Sequence, residues 1–191
     1  MTVAGKGRRT IFKVSAYPKQ LLLESGRRVT IRPLQPNDRE ELRRFFLSIP
    51  AADRFLLHHD VTDPKLVDRW TKHSDYFRAL PLVAVSDGRI VADSVLLRGL
   101  GPARAHTALI RVMVTPRFRN TGLTRALLAE LCRIADDARQ DPIFVEVVPE
   151  HDEELQRAAR RLGFRKMASI PYGVRVAAGK SRDLILLARR S

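Results

Sequence analysis

Cysteine is nearly absent: Cys132 stands alone among 191 residues. That rules out an internal disulfide and any zinc site built from several thiolates. Cys132 falls beside Leu128 and Leu131 at helical spacing, so a buried structural thiol is expected rather than a nucleophile. No apolar run approaches the ~20 residues that cross a bilayer. The opening residues, Met-Thr-Val-Ala-Gly-Lys-Gly-Arg-Arg, have no apolar stretch of the kind that heads secreted chains. A soluble cytoplasmic protein with no membrane partner is expected. Acidic residues are the minority sign: 21 Asp and Glu face 35 Lys and Arg, for a net charge of +14. Such an excess draws polyanions non-specifically. The arginines are scattered along the chain, however, and no zinc-finger, RNP or basic-zipper spacing occurs. A specific nucleic-acid partner is therefore not expected.

With 45% hydrophobic residues, the chain can bury one sizeable core. Residues 1–20 read as a basic tail with a short edge strand near Ile11-Phe-Lys-Val14, and residues 21–191 as one domain, in an arrangement compatible with a homodimer. Leu21-Leu-Leu23, then Ser25-Gly26, then Val29-Thr-Ile-Arg-Pro33 reads as a hairpin entering the first main strand. Asn37 with Glu40 three residues on is a capping signature, before a helix carrying Leu42, Phe45, Phe46 and Ile49 on one stripe. A short helix over 52–57 and another from Asp63-Pro64, burying Leu66, Val67 and Trp70, follow. Residues 80–86 and 89–97 are apolar runs joined by Asp87-Gly88, a strong hairpin signal. Further on come a strand over 105–115, a helix, a buried strand over 142–148, a helix from Asp152 stopped at Gly163, and strands over 166–176 and 184–188. This order makes a mixed α/β sheet.

One stretch organises the rest. Ile110, Val112 and Val114 alternate as in a strand, and Pro116 ends its ladder. From Leu123 the period becomes helical, with Leu127, Leu128, Leu131 and Ile134 on one face. Between them lies Arg119-Asn-Thr-Gly122, with glycine where a backbone must turn sharply or approach a ligand. The unpaired N–H groups and positive dipole end of the helix make a seat for a phosphate or pyrophosphate.

The run Val114-Thr-Pro116-Arg-Phe-Arg119-Asn-Thr-Gly122-Leu-Thr124 resembles the V-x-P-x-x-R-x-x-G-x-(G/A) motif of the GNAT N-acetyltransferases. It departs at Thr124, where a small residue is usual. The opening Val29-Thr-Ile-Arg-Pro-Leu-Gln-Pro-Asn-Asp38, the late Arg161-Leu-Gly-Phe164 and the closing Gly179-Lys-Ser-Arg-Asp183 are similar to other parts of that family, the last to its amine- and lysine-acetylating branches. The resemblance implies a central, mostly antiparallel sheet with helices on both faces. It implies acetyl-CoA as co-substrate, an amine acceptor (protein lysine, N-terminus or small amine) and no metal. Carried over, the backbone of Val112, Met113 and Val114 pairs with pantetheine, and Arg119, Asn120, Thr121, Gly122, Leu123, Thr124 and Arg125 form the pyrophosphate seat. His151 or Asp152 takes the place of an Asn that contacts pantetheine; Asp152 also reads as a helix cap.

The resemblance leaves the acid–base chemistry thin. The family's frequent Tyr falls on Ala159 and its frequent Glu on Leu109; neither can move a proton. Glu146, in Phe144-Val-Glu-Val-Val148, is similar to the Glu that serves as base in some relatives. Apolar neighbours should raise its pKa toward a usable value; a structural role or an Arg partner is the other reading. His106 is the reserve base. His58, His59 and Asp60 are adjacent, so they share no helix face for a metal and read as solvated. Two function classes stand: an acetyl-CoA-dependent N-acetyltransferase, or a degenerate relative that binds acyl-CoA as a ligand for sensing or scaffolding.

Overall fold

The computed structural model describes residues 17–190, apart from 58, 73, 74, 177 and 178. The expected basic tail and the edge strand near 11–14 fall outside the described residues.

Among the described residues, eight strands form one sheet in the order β1-β2-β3-β4-β5-β6-β8-β7. They are β1 Lys19–Leu22, β2 Arg28–Pro33, β3 Ala79–Ser86, β4 Arg89–Arg98, β5 Ala108–Val114, β6 Ile143–Val147, β7 Arg165–Arg175 and β8 Ser181–Arg189. All neighbours are antiparallel except β5 and β6. That exception follows from the helix between them, because a crossover returns the chain in its original direction. The β3–β4 hairpin turns on Asp87 and Gly88, both at positive φ (50° and 73°), the geometry a two-residue turn requires.

Among the described residues, five α-helices cover the two faces: α1 Arg39–Ser48, α2 Ala51–Phe55, α3 Pro64–Lys72, α4 Leu123–Asp137 and α5 Glu153–Arg161. Period-2 alternation in the central strands sends side chains to two separate cores. On one face, Leu80, Leu82, Leu96 and Ile110 pack under Leu123, Leu127, Leu128 and Leu131 of α4. On the other, Val83 and Ile90 pack under Leu42, Phe45 and Phe46 of α1 and Leu66 and Val67 of α3. Cys132 is buried in the α4 core, and burial pushes its thiol up to about 11. No helix among the described residues is long and apolar enough to cross a membrane.

The start of α1 differs from the expectation. The Asn37–Glu40 signature is not used; instead the Asp38 carboxylate accepts the Gln35 backbone N–H at 2.7 Å. It also takes both guanidinium arms of Arg32 at 2.6 and 2.7 Å. Asp38 is buried, so leaving its carboxylate without a partner would be costly.

The strand edge is tied to α4 through Glu130. One carboxylate oxygen accepts Tyr17 Oη at 2.5 Å, Lys19 Nζ at 2.7 Å and Arg133 Nη2 at 2.8 Å. Burial alone would raise the Glu130 carboxyl, but the bonds from Arg133, Lys19 and Tyr17 outweigh it and hold it at about 2. A depressed carboxyl contributes stability above its unfolded pKa, and that contribution is lost as pH falls through the folded one. The window is therefore pH 4.5 down to about 2. Glu130→Gln is expected to be less stable than wild type by about 1 kcal/mol at neutral pH, discounted for solvent access to the cations. The gap should close on acidification, read as unfolding midpoints between pH 6 and pH 2. A gap independent of pH would remove the carboxylate as its cause.

Candidate active site

The ladder between β5 and β6 stops early. Its pairs are Ala108 with Ile143, Leu109 with Phe144 and Ile110 with Val145; beyond Ile110 the two strands splay. The hydrogen-bond pattern fixes which backbone groups this leaves open. Gly99 N bonds Thr107 O, Thr115 N bonds Val91 O and Ala108 N bonds Pro142 O. Every second residue of β5, namely Ala108, Ile110, Val112 and Val114, therefore turns its amide groups toward β6. Val112 and Val114 do so where the ladder has ended. On the other lip, the Val148 N–H is taken by Asp152 Oδ2 at 2.7 Å.

This use of Asp152 bears on both of its expected roles. Asp152 is the residue before α5, yet its side chain makes no cap bond to that helix and turns back to Val148. Burial raises its carboxyl, opposed by the bond from Val148 and the charge of His151.

The splay opens onto the N-terminus of α4. Gly122 sits there at φ 86°, a left-handed conformation that glycine adopts without steric cost. Thr121 Oγ1 donates to Phe118 O at 2.6 Å, and Asn120 Oδ1 accepts from Arg157 at 3.1 Å. Thr124 is buried and lines the cleft, while Leu123 is fully buried below it. The seat already draws an anion: Glu24 Oε1 accepts from Arg125 at 2.7 Å and its carboxyl lies against Gly122. An anionic side chain in this place is the chemistry a phosphate would present, and the residues fit such a group.

The resulting cleft encloses about 320 Å³, with Arg111, Val112, Met113, Val114, Glu146 and Leu155 among its walls. Its rim is charged. Asp53 of α2 pairs with Arg119 and with His151 Nε2 at 3.1 Å; Arg119 Nε also donates to Val114 O at 3.4 Å. Helix α2 is thereby strapped to the phosphate turn, a contact that local spacing could not disclose.

The structure separates the two expected bases. Glu146 lies in the cleft, one residue past the last ladder pair. Its surroundings are not purely apolar, because its charge acts on Arg111, which burial otherwise pushes down. His106 lies in the turn before β5, exposed and outside the cleft. Five residues separate it from Arg111, roughly 16 Å along a strand. Ala159 is fully buried, and Leu109 lies within the paired part of the ladder.

A second cavity of about 290 Å³ lies between β4, β5 and the α1–α3 layer. It shares Leu57, Arg111, Val112 and Met113 with the cleft. Phe46 and Trp70 line it with ring centroids 6.0 Å apart, and His59 stands edge-on to Trp70 at 5.9 Å. Asp93 also lines it, directly across the ladder from Met113. Sequence reasoning missed Asp93. The available signal was a carboxylate within the run Ile90-Val-Ala-Asp-Ser-Val-Leu-Leu97, apolar but for it and Ser94.

The sequence profile of the acetyltransferase (GNAT) family matches residues 42–164, more than half of the chain. The mixed sheet has a splay between β5 and β6 that opens on the N-terminus of α4. The chain belongs to the GNAT acetyltransferase family. Comparison with curated proteins found no match. Among solved structures, the GNAT domain of S. lividans PAT is 19% identical, with a TM-score of 0.75, covering 93% of this chain and 98% of that one. The putative acetyltransferase yncA from Salmonella typhimurium, solved with its cofactor acetyl-CoA, is 19% identical with a TM-score of 0.71, covering 85% and 93%. Mycobacterium smegmatis RimJ, in complex with CoA-disulfide, is 21% identical with a TM-score of 0.70, covering 91% and 87%. At these identities the likeness is one of fold.

Proposed function

We propose that this protein transfers the acetyl group of acetyl-CoA to an amine. The observation that carries the reading is the interrupted ladder: Val112 and Val114 offer backbone groups to the splay, and the splay ends on the anion seat at Gly122. The pantetheine arm carries two amides and would complete the missing rungs. The N-terminal turn of α4, with Arg119 and Arg125, would hold the pyrophosphate. Acetyl-CoA bound to yncA and CoA-disulfide bound to RimJ support this choice of ligand.

In this reading Arg111 and Glu146 flank the apex of the splay, where the thioester would lie. Glu146 compensates the buried guanidinium rather than standing as an isolated base. Holding the two reactants together and placing donors at the developing oxyanion supply most of the rate. The test is free-thiol release from acetyl-CoA with a panel of amines and lysine peptides. Turnover of at least one acceptor, faster than the amine-free hydrolysis by about 10²-fold or more, a gain that positioning can readily supply, is expected. A thermal shift with CoA but no turnover of any amine would favour the second reading, an acyl-CoA-binding relative without catalysis. That reading draws on Ala159 and Leu109, which leave the family's usual proton-transfer positions without an acid or base.

A further inference from the structure

The second cavity has a chemistry of its own. Its body is apolar and aromatic, with Phe46, Trp70 and Leu42 against the sheet. Its wall toward the cleft carries one carboxylate that has no bonding partner among the described residues, Asp93. The cavity's other acid, Asp75, is engaged: its Oδ1 accepts the Phe77 N–H at 3.0 Å and its Oδ2 lies 3.8 Å from Arg78 Nε. Asp93 is half-buried among apolar neighbours, and an unpaired carboxylate in such a setting is costly, so it favours a cation. Register puts it on the same face as Met113, and Val95 of the same strand stands opposite Arg111. Both of these β5 residues also line the cleft. A group held by Asp93 therefore sits across one strand from the apex of the splay.

Building on the acetyltransferase reading, we propose that this cavity is the acceptor site, that it takes a small primary amine with a compact aromatic or apolar body, and that Asp93 receives the amine's proton. The ammonium group pairs with Asp93 and the ring lies against Phe46 and Trp70, whose faces also favour a nearby cation. Asp93 takes one proton from R–NH3+, giving neutral R–NH2 and a protonated carboxyl. The nitrogen lone pair attacks the thioester carbon, the new C–N bond forms and the C–S bond breaks. The departing thiolate takes the second proton from nitrogen. Products are the N-acetyl amine and CoA thiol, and Asp93 returns its proton to water. Burial moves the Asp93 carboxyl up to about 7, which suits a base working near neutrality.

Trp70 is the single tryptophan, so its fluorescence reports the cavity without any catalysis. The probe is 2-phenylethylamine, with 2-phenylethanol as its uncharged counterpart. The amine is expected to change Trp70 emission at concentrations at least tenfold below the alcohol, and Asp93→Asn to erase that preference. With acetyl-CoA, Asp93→Asn is expected to lower kcat for the amine by ~10²–10⁴, the range for a positioned acid–base group. The CoA thermal shift, set by the phosphate turn, should be unchanged, which also shows that the variant folds.

Wild-type turnover should rise with pH through about 7, and the variant should lack that rise. Asp75, Arg78, His59 and Arg111 face the same space. His59 is the imidazole facing that space, so His59→Gln is the control: the limb, whatever the rate, must survive it. Equal binding of amine and alcohol, or Asp93→Asn turning over 2-phenylethylamine with the limb intact, overturns the proposal. Turnover confined to lysine peptides and indifferent to Asp93 overturns it too, while leaving the acetyltransferase reading standing. Binding of 2-phenylethylamine with the expected preference but without its acetylation overturns the proton role and leaves only a cation site, while the transferase reading then rests on the other acceptors of the panel.

Discussion

Arg119→Glu combined with Gly122→Asp is expected to erase the thermal shift that CoA gives the wild-type protein. A ligand that binds only the folded state stabilises it by RT ln(1 + [L]/Kd), roughly 2.7 kcal/mol at a hundredfold excess over Kd. The two changes put negative charge where a pyrophosphate would lie, at the end of α4. They also leave Asp53 facing a glutamate in place of Arg119, so the strap from α2 turns repulsive. Aspartate is among the few side chains that tolerate a left-handed backbone. A Cβ at Gly122 would come 3.3 Å from Cδ of Glu24, but that side chain is exposed and can swing aside. The unliganded variant should therefore unfold within a few degrees of wild type. A shift of normal size in the double variant would place the phosphate elsewhere.

Leu128→Ala should show the reverse pattern. Leu128 is fully buried against the sheet, and emptying such a site costs ~2–5 kcal/mol. For a chain of this size that amounts to a fall in unfolding midpoint of roughly 4–20 °C. The Gly122 turn and the rim pairs do not touch the missing methyls, so CoA should still raise the midpoint by its usual increment. One variant thus keeps the fold and loses the ligand, and the other loses stability and keeps the ligand. Loss of the CoA shift in Leu128→Ala as well would mean that the seat depends on how tightly α4 is packed.

What was legible in the sequence was local. The strand–turn–helix around Gly122 declares itself because alternation, a proline stop and helical spacing are all read within about twenty residues. Asp87-Gly88 declared the β3–β4 hairpin for the same reason. Glu146 shows where local reading ends. Along its own strand the neighbours are Phe144 and Val148, which suggested an apolar setting, but the neighbour across the splay is Arg111. That proximity depends on the register of a parallel pair separated by a whole helix. Asp93 was overlooked for a related cause: its importance comes from facing Met113 on the next strand. Asp53 and Glu24 reach the phosphate turn from parts of the chain 66 residues and 101 residues away from their partners, and no spacing rule carries that far.

The short β5–β6 ladder has a mechanical consequence. The sheet is in effect two plates, β1 to β5 and β6 with β8 and β7. Only three residue pairs join them, against seven between β4 and β5. Bending the plates about that seam stretches few hydrogen bonds, whereas bending at any well-paired strand boundary stretches many. The β1–β2 and β2–β3 boundaries, with four pairs each, are also thinly bonded, but the β5–β6 seam is the one that runs along the cleft. A chain of amides lying in the gap and bonded to the β5 lip would act as a splint, stiffening the molecule across its full width.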